Sequence, residues 1–179
     1  VGVSIVVFRP HGYRTPFHPV AFRSRLRTAN VEWPCVDETD YAAGLRLVWG
    51  MPGDLVVIEH DVLGAHLIPE LINCPEDLCV PMVKLYPATT GADRWRWAHS
   101  DGHGPIEEHQ PYVRTAALCT AKISYSLRRA NPLPLGSANW WWFEVDSSLS
   151  KWLWALDRGY RWHVHPAEAV HVHRVSAHA

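Results

Sequence analysis

Two carboxylates flank a histidine at Glu59-His60-Asp61. Glu59 and Asp61 are two apart, so on an extended backbone they point to one side while His60 points to the other. Paired hard oxygens of this kind suit Mg²⁺ or Mn²⁺ carrying phosphate oxygens. A strand that simply ends in water, where acids are common, would read the same way. A second acidic pair, Glu144 and Asp146, precedes a late helical stretch. Either could serve as the general base for a hydroxyl. Asp146 is also a plain N-cap residue and Glu144 a plain first-turn acid. Near the end, His163-Val164-His165 and His171-Val172-His173 each set two imidazoles on one strand face. That geometry can clamp a metal through neutral rings, and alternation on a wet edge strand would look alike.

The elements that must position these groups follow from apolar patterning. Pro52-Gly53 is a turn signal, and Leu55–Ile58 after it is an apolar run rich in β-branched residues, which predicts a short strand buried on both faces. Val3–Phe8 predicts a first, central strand, with Arg9 and Arg14 in the loop behind it. Pro19–Thr28 reads as a short amphipathic helix and Val31–Trp33 as a short strand. Acids at Asp37–Asp40 look like a helix start leading into Tyr41–Trp49. The order β-α-β-α-β is that of a parallel sheet with right-handed crossovers. A helix over Leu67–Leu71, with Ile68 and Leu71 inward, and a strand over Val80–Tyr86 follow. Residues 88–112 lack a period and read as a long loop, in which Trp95, Trp97, His99 and His103 could line a cleft or cover the core. Thr115–Lys122 reads as a strand running into a helix over Ile123–Ala130. Val145–Arg158 predicts a helix capped by Asp146 or Ser147 and ended by Gly159, then a strand over Tyr160–His165 that Pro166 breaks.

A chain of 179 residues with 47% hydrophobic and 20% charged residues is expected to form one soluble domain over residues 1–179. A net charge of −1 offers no basic excess, so nucleic acid is not expected as a partner. No apolar run approaches the roughly 18–20 residues of a membrane span. No signal peptide is visible and the cysteines lack a C-x-x-C pair, so a cytoplasmic protein with reduced thiols is expected. Cys74 and Cys79 are spaced more loosely than a zinc knuckle, no Cys/His pair at zinc spacing stands near them, and they are expected to pack locally. Ten tryptophans, among them Trp140–Trp142, Trp152 and Trp154, would suit stacking on sugar rings, with most of them buried.

The apolar strand ending in Glu59-His60-Asp61, the Trp142-x-x-x-Asp146 before a helix, and the histidine-rich end together resemble the nucleotide-sugar glycosyltransferases of the A-type fold. Glu59 stands here in the first acidic place of that family's motif. The resemblance implies an α/β fold, a Rossmann-like mixed sheet with helices on both faces. It implies Mn²⁺ or Mg²⁺ held by Glu59 and Asp61, with a late histidine, His171 or His173, completing the shell. It further implies Asp146 or Glu144 as base, and Arg9, Arg14 and Asp37 (with Asp40) near the donor's diphosphate or base. The partners would be a nucleotide-sugar donor and a hydroxyl acceptor: a glycan, a protein or a small molecule. The alternatives are a hydrolase whose histidine cluster holds Zn²⁺, and a carbohydrate-binding module of the same fold without catalysis.

Overall fold

The computed structural model describes residues 2–9, 35–37, 41–59, 62–85, 96–97, 99–101, 108–134 and 145–171. In chain order these form β1 (Val3–Arg9), β2 (Cys35–Asp37), α1 (Tyr41–Trp49), β3 (Asp54–Glu59), β4 (Val62–Leu63), α2 (Ile68–Asn73), β5 (Leu78–Leu85), β6 (Arg96–Trp97), β7 (Tyr112–Val113), β8 (Thr120–Ile123), α3 (Tyr125–Ala130), α4 (Val145–Ala155) and β9 (Trp162–His171). The expected helix over Pro19–Thr28 and strand over Val31–Trp33 lie outside the described residues.

Leu55, Val56, Val57 and Ile58 are fully buried, because β3 has a strand on each edge and helices above and below. The sheet runs β2-β1-β3-β8-β5-β9-β4, with β6 beside β5 and β7 beside β9. It is mixed: β1 is parallel to β2 and β3, and β5 to β9, while β8 runs antiparallel to β3 and β5. Side chains alternate across it. Val6, Phe8, Leu55, Val57, Val80 and Met82 meet Leu45 and Val48 of α1, Leu127 of α3, and Leu149 and Leu153 of α4. Ile5, Val56 and Ile58 meet Ile68 and Leu71 of α2 on the opposite face. Helices therefore cover both faces, as an α/β sheet with apolar central strands requires.

Several boundaries differ from the sequence reading. Asp37 is the last residue of β2, beside Arg9, and α1 is described from Tyr41, residues 38–40 of the expected helix start lying outside the described residues. The helix expected from Ile123 starts after Ser124, whose hydroxyl accepts from Leu127 N at 3.2 Å and caps α3. Pro166 does not end the last strand. β9 runs on to His171, and the pairing jumps from Pro81↔His165 to Met82↔Glu168, so a bulge absorbs two prolines that offer no N–H. Cys74 and Cys79 are joined as a disulfide and are not the free thiols expected, since the turn between α2 and β5 folds one back onto the other.

The start of β3 is set by close approach. Gly53 adopts φ of +77°, and a Cβ there would fall 2.1 Å from Gly2 O, so the turn admits only glycine. Arg128, 2% exposed, reaches into this turn from α3. Its guanidinium donates to the carbonyls of Val48, Trp49, Met51 and Gly53, taking up the C-terminal end of α1 and the turn behind it. Arg128→Met is expected to lower the unfolding free energy in urea by about 3 kcal/mol or more, because several buried carbonyls lose their donor. Arg128→Lys should recover only part, since an ammonium cannot present the fork. A loss under about 1 kcal/mol for the Met variant would show that the carbonyls find other partners.

Candidate functional site

Three chain ends meet at one edge of the sheet. Glu59 ends β3, His171 ends β9, and Cys119 immediately precedes β8, which runs the opposite way. The strands β1, β3, β5 and β9 all point toward this edge. In open α/β sheets, ligands bind outside the carboxyl ends of the strands. β8 and β5 share only the pairs at Leu78 and Cys79, so the sheet opens beyond them. Only His60 and Asp61 separate Glu59 from Val62, which pairs with His171 on the far edge of β9. Gly64 permits this crossing to lie close: a Cβ there would meet Ala169 Cβ at 3.0 Å and Thr120 Oγ1 at 3.1 Å.

His171 Nε2 lies 3.4 Å from Glu59 Oε2, and both side chains are nearly buried. On the ring's other side, Nδ1 is hydrogen-bonded to Cys119 Sγ at 3.4 Å. Glu59 is held by its backbone as well, its N–H donating to Cys119 O at 2.9 Å. One donor atom from each of Glu59, Cys119 and His171 lies within 4.8 Å of the others. The set fits a divalent first-row cation. A carboxylate oxygen and an imidazole nitrogen 3.4 Å apart are at ion-pair distance, which is also the spacing of two ligands that meet near the tetrahedral angle on one ion with bonds of about 2.1 Å. If Nδ1–H is donated to the thiol, the Nε2 lone pair faces the carboxylate, an arrangement that a shared cation relieves. Imidazole beside carboxylate suits Mn²⁺ better than Mg²⁺, which prefers oxygen alone.

A buried histidine braces the segment that carries Cys119. His99, 1% exposed, bonds Pro81 O through Nε2 at 2.7 Å and accepts from Ala117 N through Nδ1 at 3.3 Å. Ala117 N must donate, so Nδ1 is the bare nitrogen and Nε2 carries the proton. Burial lowers the His99 pKa to about 4 against the partial opposition of the Pro81 bond.

The structure joins Glu59 with His171 and adds Cys119, which no sequence pattern announced: a lone buried thiol gives no spacing to read. Asp61, His173, Arg14 and Glu144 lie outside the described residues, although Asp61 directly precedes the residue paired with His171. Arg9 and Asp37 pair in the β1–β2 register at this same edge; their side chains lie outside the description. α4 is described from Val145, so Asp146 lies within the helix and not at its N-cap. His163 and His165 lie farther back on β9, away from Glu59. A surface cleft of about 390 Å³, lined by Ser126, Asn131, Leu156 and Tyr160 among others, opens beyond the other end of β8 and touches none of these groups.

No protein-family model matches the chain, and no curated protein does. Among solved structures it is similar to A197 from STIV, with a TM-score of 0.64 and 12% identity over 97% of this chain and 87% of that one. That likeness supports the α/β fold. HddC from Yersinia pseudotuberculosis aligns with a TM-score of 0.42 and 12% identity, over 93% of this chain and 70% of that one. No described helix is long and apolar enough to cross a membrane.

His99 makes stability depend on pH. The folded chain keeps it neutral down to about pH 4, whereas the unfolded chain protonates it near 6.5. Between those values the unfolded state holds the extra proton, so stability falls as pH drops. From pH 7 to pH 5 the expected loss from this group is about 2 kcal/mol. His99→Gln, compared with the wild type by urea melts at both pH values, should remove most of that difference.

Proposed function

We propose that the chain is a metal-dependent glycosyltransferase that moves a sugar from a nucleotide-sugar donor to a hydroxyl acceptor. The observation that carries this reading is the approach of His171 Nε2 to Glu59 Oε2 at 3.4 Å, at the carboxyl ends of the parallel strands. An acid that closes a buried strand and a histidine from the end of the chain are the two parts that the resemblance pairs in one cation shell. Glu59 and His171 are the proposed ligands, Asp61 the third, and Mn²⁺ the favoured ion. A cation bound there would neutralise the diphosphate leaving group as a Lewis acid. Cys119 orients the His171 ring through Nδ1, so that Nε2 faces Glu59 and would ligate beside it. Arg9 and Asp37, side by side at the ends of β1 and β2, flank the donor, with Arg14. Asp146, or Glu144 before it, is the proposed base that takes the acceptor's hydroxyl proton.

One observation favours a second reading. Cys119 Sγ, His171 and Glu59 form a continuous relay, the order in which an imidazole between a thiol and a carboxylate activates a nucleophile. Cys119 is only 3% exposed, which places the metal reading first.

Calorimetric titration of UDP and of GDP, with and without Mn²⁺, tests both. The wild type should bind one nucleotide only with Mn²⁺, and Glu59→Gln and His171→Asn should each weaken that binding at least about tenfold. Cys119→Ser should retain it. Nucleotide binding indifferent to Mn²⁺ and to Glu59→Gln would overturn the proposal. Rapid alkylation of Cys119 by iodoacetamide that slows in His171→Asn would hand the role to the relay.

A further inference from the structure

A second cluster, built from softer donors, lies farther back on β9. Cys74 stands at the C-cap of α2 and Cys79 in β5, joined as a disulfide. Parallel pairing sets Cys79 beside His163 and Pro81 beside His165, so the strand's His-x-His presents both rings to the sulfurs. Cys74 Sγ lies 3.6 Å from His163 Nδ1, and the rings of His163 and His165 meet edge to face at 4.9 Å. One donor atom from each of the four residues falls within 4.8 Å of the others.

One atom of this cluster lacks a partner of its own. His165 Nε2 is buried and has no hydrogen-bond partner among the described residues. A buried polar atom without a partner costs free energy, and a bound ion is one way to satisfy it. Lys122, itself 3% exposed, donates from Nζ to Cys74 O at 2.6 Å and to Glu76 O at 3.1 Å.

We propose that the reduced protein binds Zn²⁺ through Cys74, Cys79, His163 and His165, and that oxidation closes the same site as the Cys74–Cys79 disulfide. Two thiolates and two imidazoles are a closed tetrahedral set that selects Zn²⁺ and leaves no position for substrate. Zn–S bonds of about 2.3 Å at a tetrahedral angle hold the sulfurs about 3.8 Å apart, so metal and disulfide exclude each other. A dithiol reductant delivers two electrons and two protons to the disulfide, opens the S–S bond, and leaves as its own cyclic disulfide. Zn²⁺ then forms two Zn–S and two Zn–N bonds and releases both thiol protons to solvent. The ion fastens the end of α2 to β5 and β9. His165 stands opposite Pro81 and His171 opposite Leu85, four residues apart on β5 or about 13 Å, so this site is separate from the Glu59 site.

The test uses the full chain in its two redox states. Protein reduced with dithiothreitol is desalted without oxygen and titrated with Co²⁺, then Zn²⁺. One equivalent of Co²⁺ should give thiolate charge-transfer and tetrahedral visible bands, which Zn²⁺ abolishes, and oxidised protein should give neither. Zn²⁺ should raise the melting temperature of the reduced form by roughly 5 °C or more. Cys79→Ser and His165→Gln should weaken Co²⁺ binding roughly 100-fold or more. Glu59→Gln, which alters the proposed ligand set of the other site, should leave these thiolate bands in place. Absence of the bands in reduced wild type would overturn the proposal. So would bands that survive both ligand substitutions, or that vanish in Glu59→Gln.

Discussion

The buried guanidinium of Arg128 is the interaction on which the placement of β3 depends. Helix α1 ends with unsatisfied carbonyls, and the turn behind it adds more at Met51 and Gly53. A single forked cation from α3 takes them up. Asp54, at the start of β3, accepts from Tyr125 N at 2.9 Å, so helix and strand hold each other in both directions. With β3 anchored at its first residue, antiparallel pairing with β8 sets its register, and Glu59 must emerge at the opposite edge. The placement of Glu59 at that edge rests on a clamp at the other end of the strand.

Mixed strand direction supplies the second constraint. An all-parallel sheet would bring only carboxyl ends to the ligand edge. Here β8 runs backward through the middle, so the residue before its start, Cys119, stands among the ends of β3 and β9. Because β8 is short and leaves β5 early, the sheet opens, and β4 crosses to the outer side of β9. That opening lets Glu59 and His171 meet although two strands, β8 and β5, separate β3 from β9 in the sheet. His99 holds the segment before β8 from beneath, bonded at both ring nitrogens, and is kept neutral by burial.

β9 carries two donor groups of different character. Its first half faces sulfur, and its last residue faces a carboxylate and a thiol. The bulge opposite Pro81 lies between them, so the strand's alternation is broken there and the two halves are oriented independently. Soft and hard donors thus sit on one element without sharing a ligand set.

The sequence by itself determined the α/β class, the doubly buried β3 and its acidic end. Those are local matters: an apolar run without a polar face must be covered on both sides, and a turn signal before it sets where it starts. It also determined that Ile68 and Leu71 point inward, since helical spacing is a short-range property. It marked His171 as a possible partner of Glu59 only through resemblance. Tertiary structure alone decided that these two residues meet, that Cys119 joins them, and that Cys74 and Cys79 lie against His163 and His165. Each of those contacts links residues far apart in the chain through strand register, and register depends on every intervening pair and bulge. Pro166 shows the limit most clearly. Read locally it ends a strand; in the sheet, a bulge absorbs it and carries the chain on to His171.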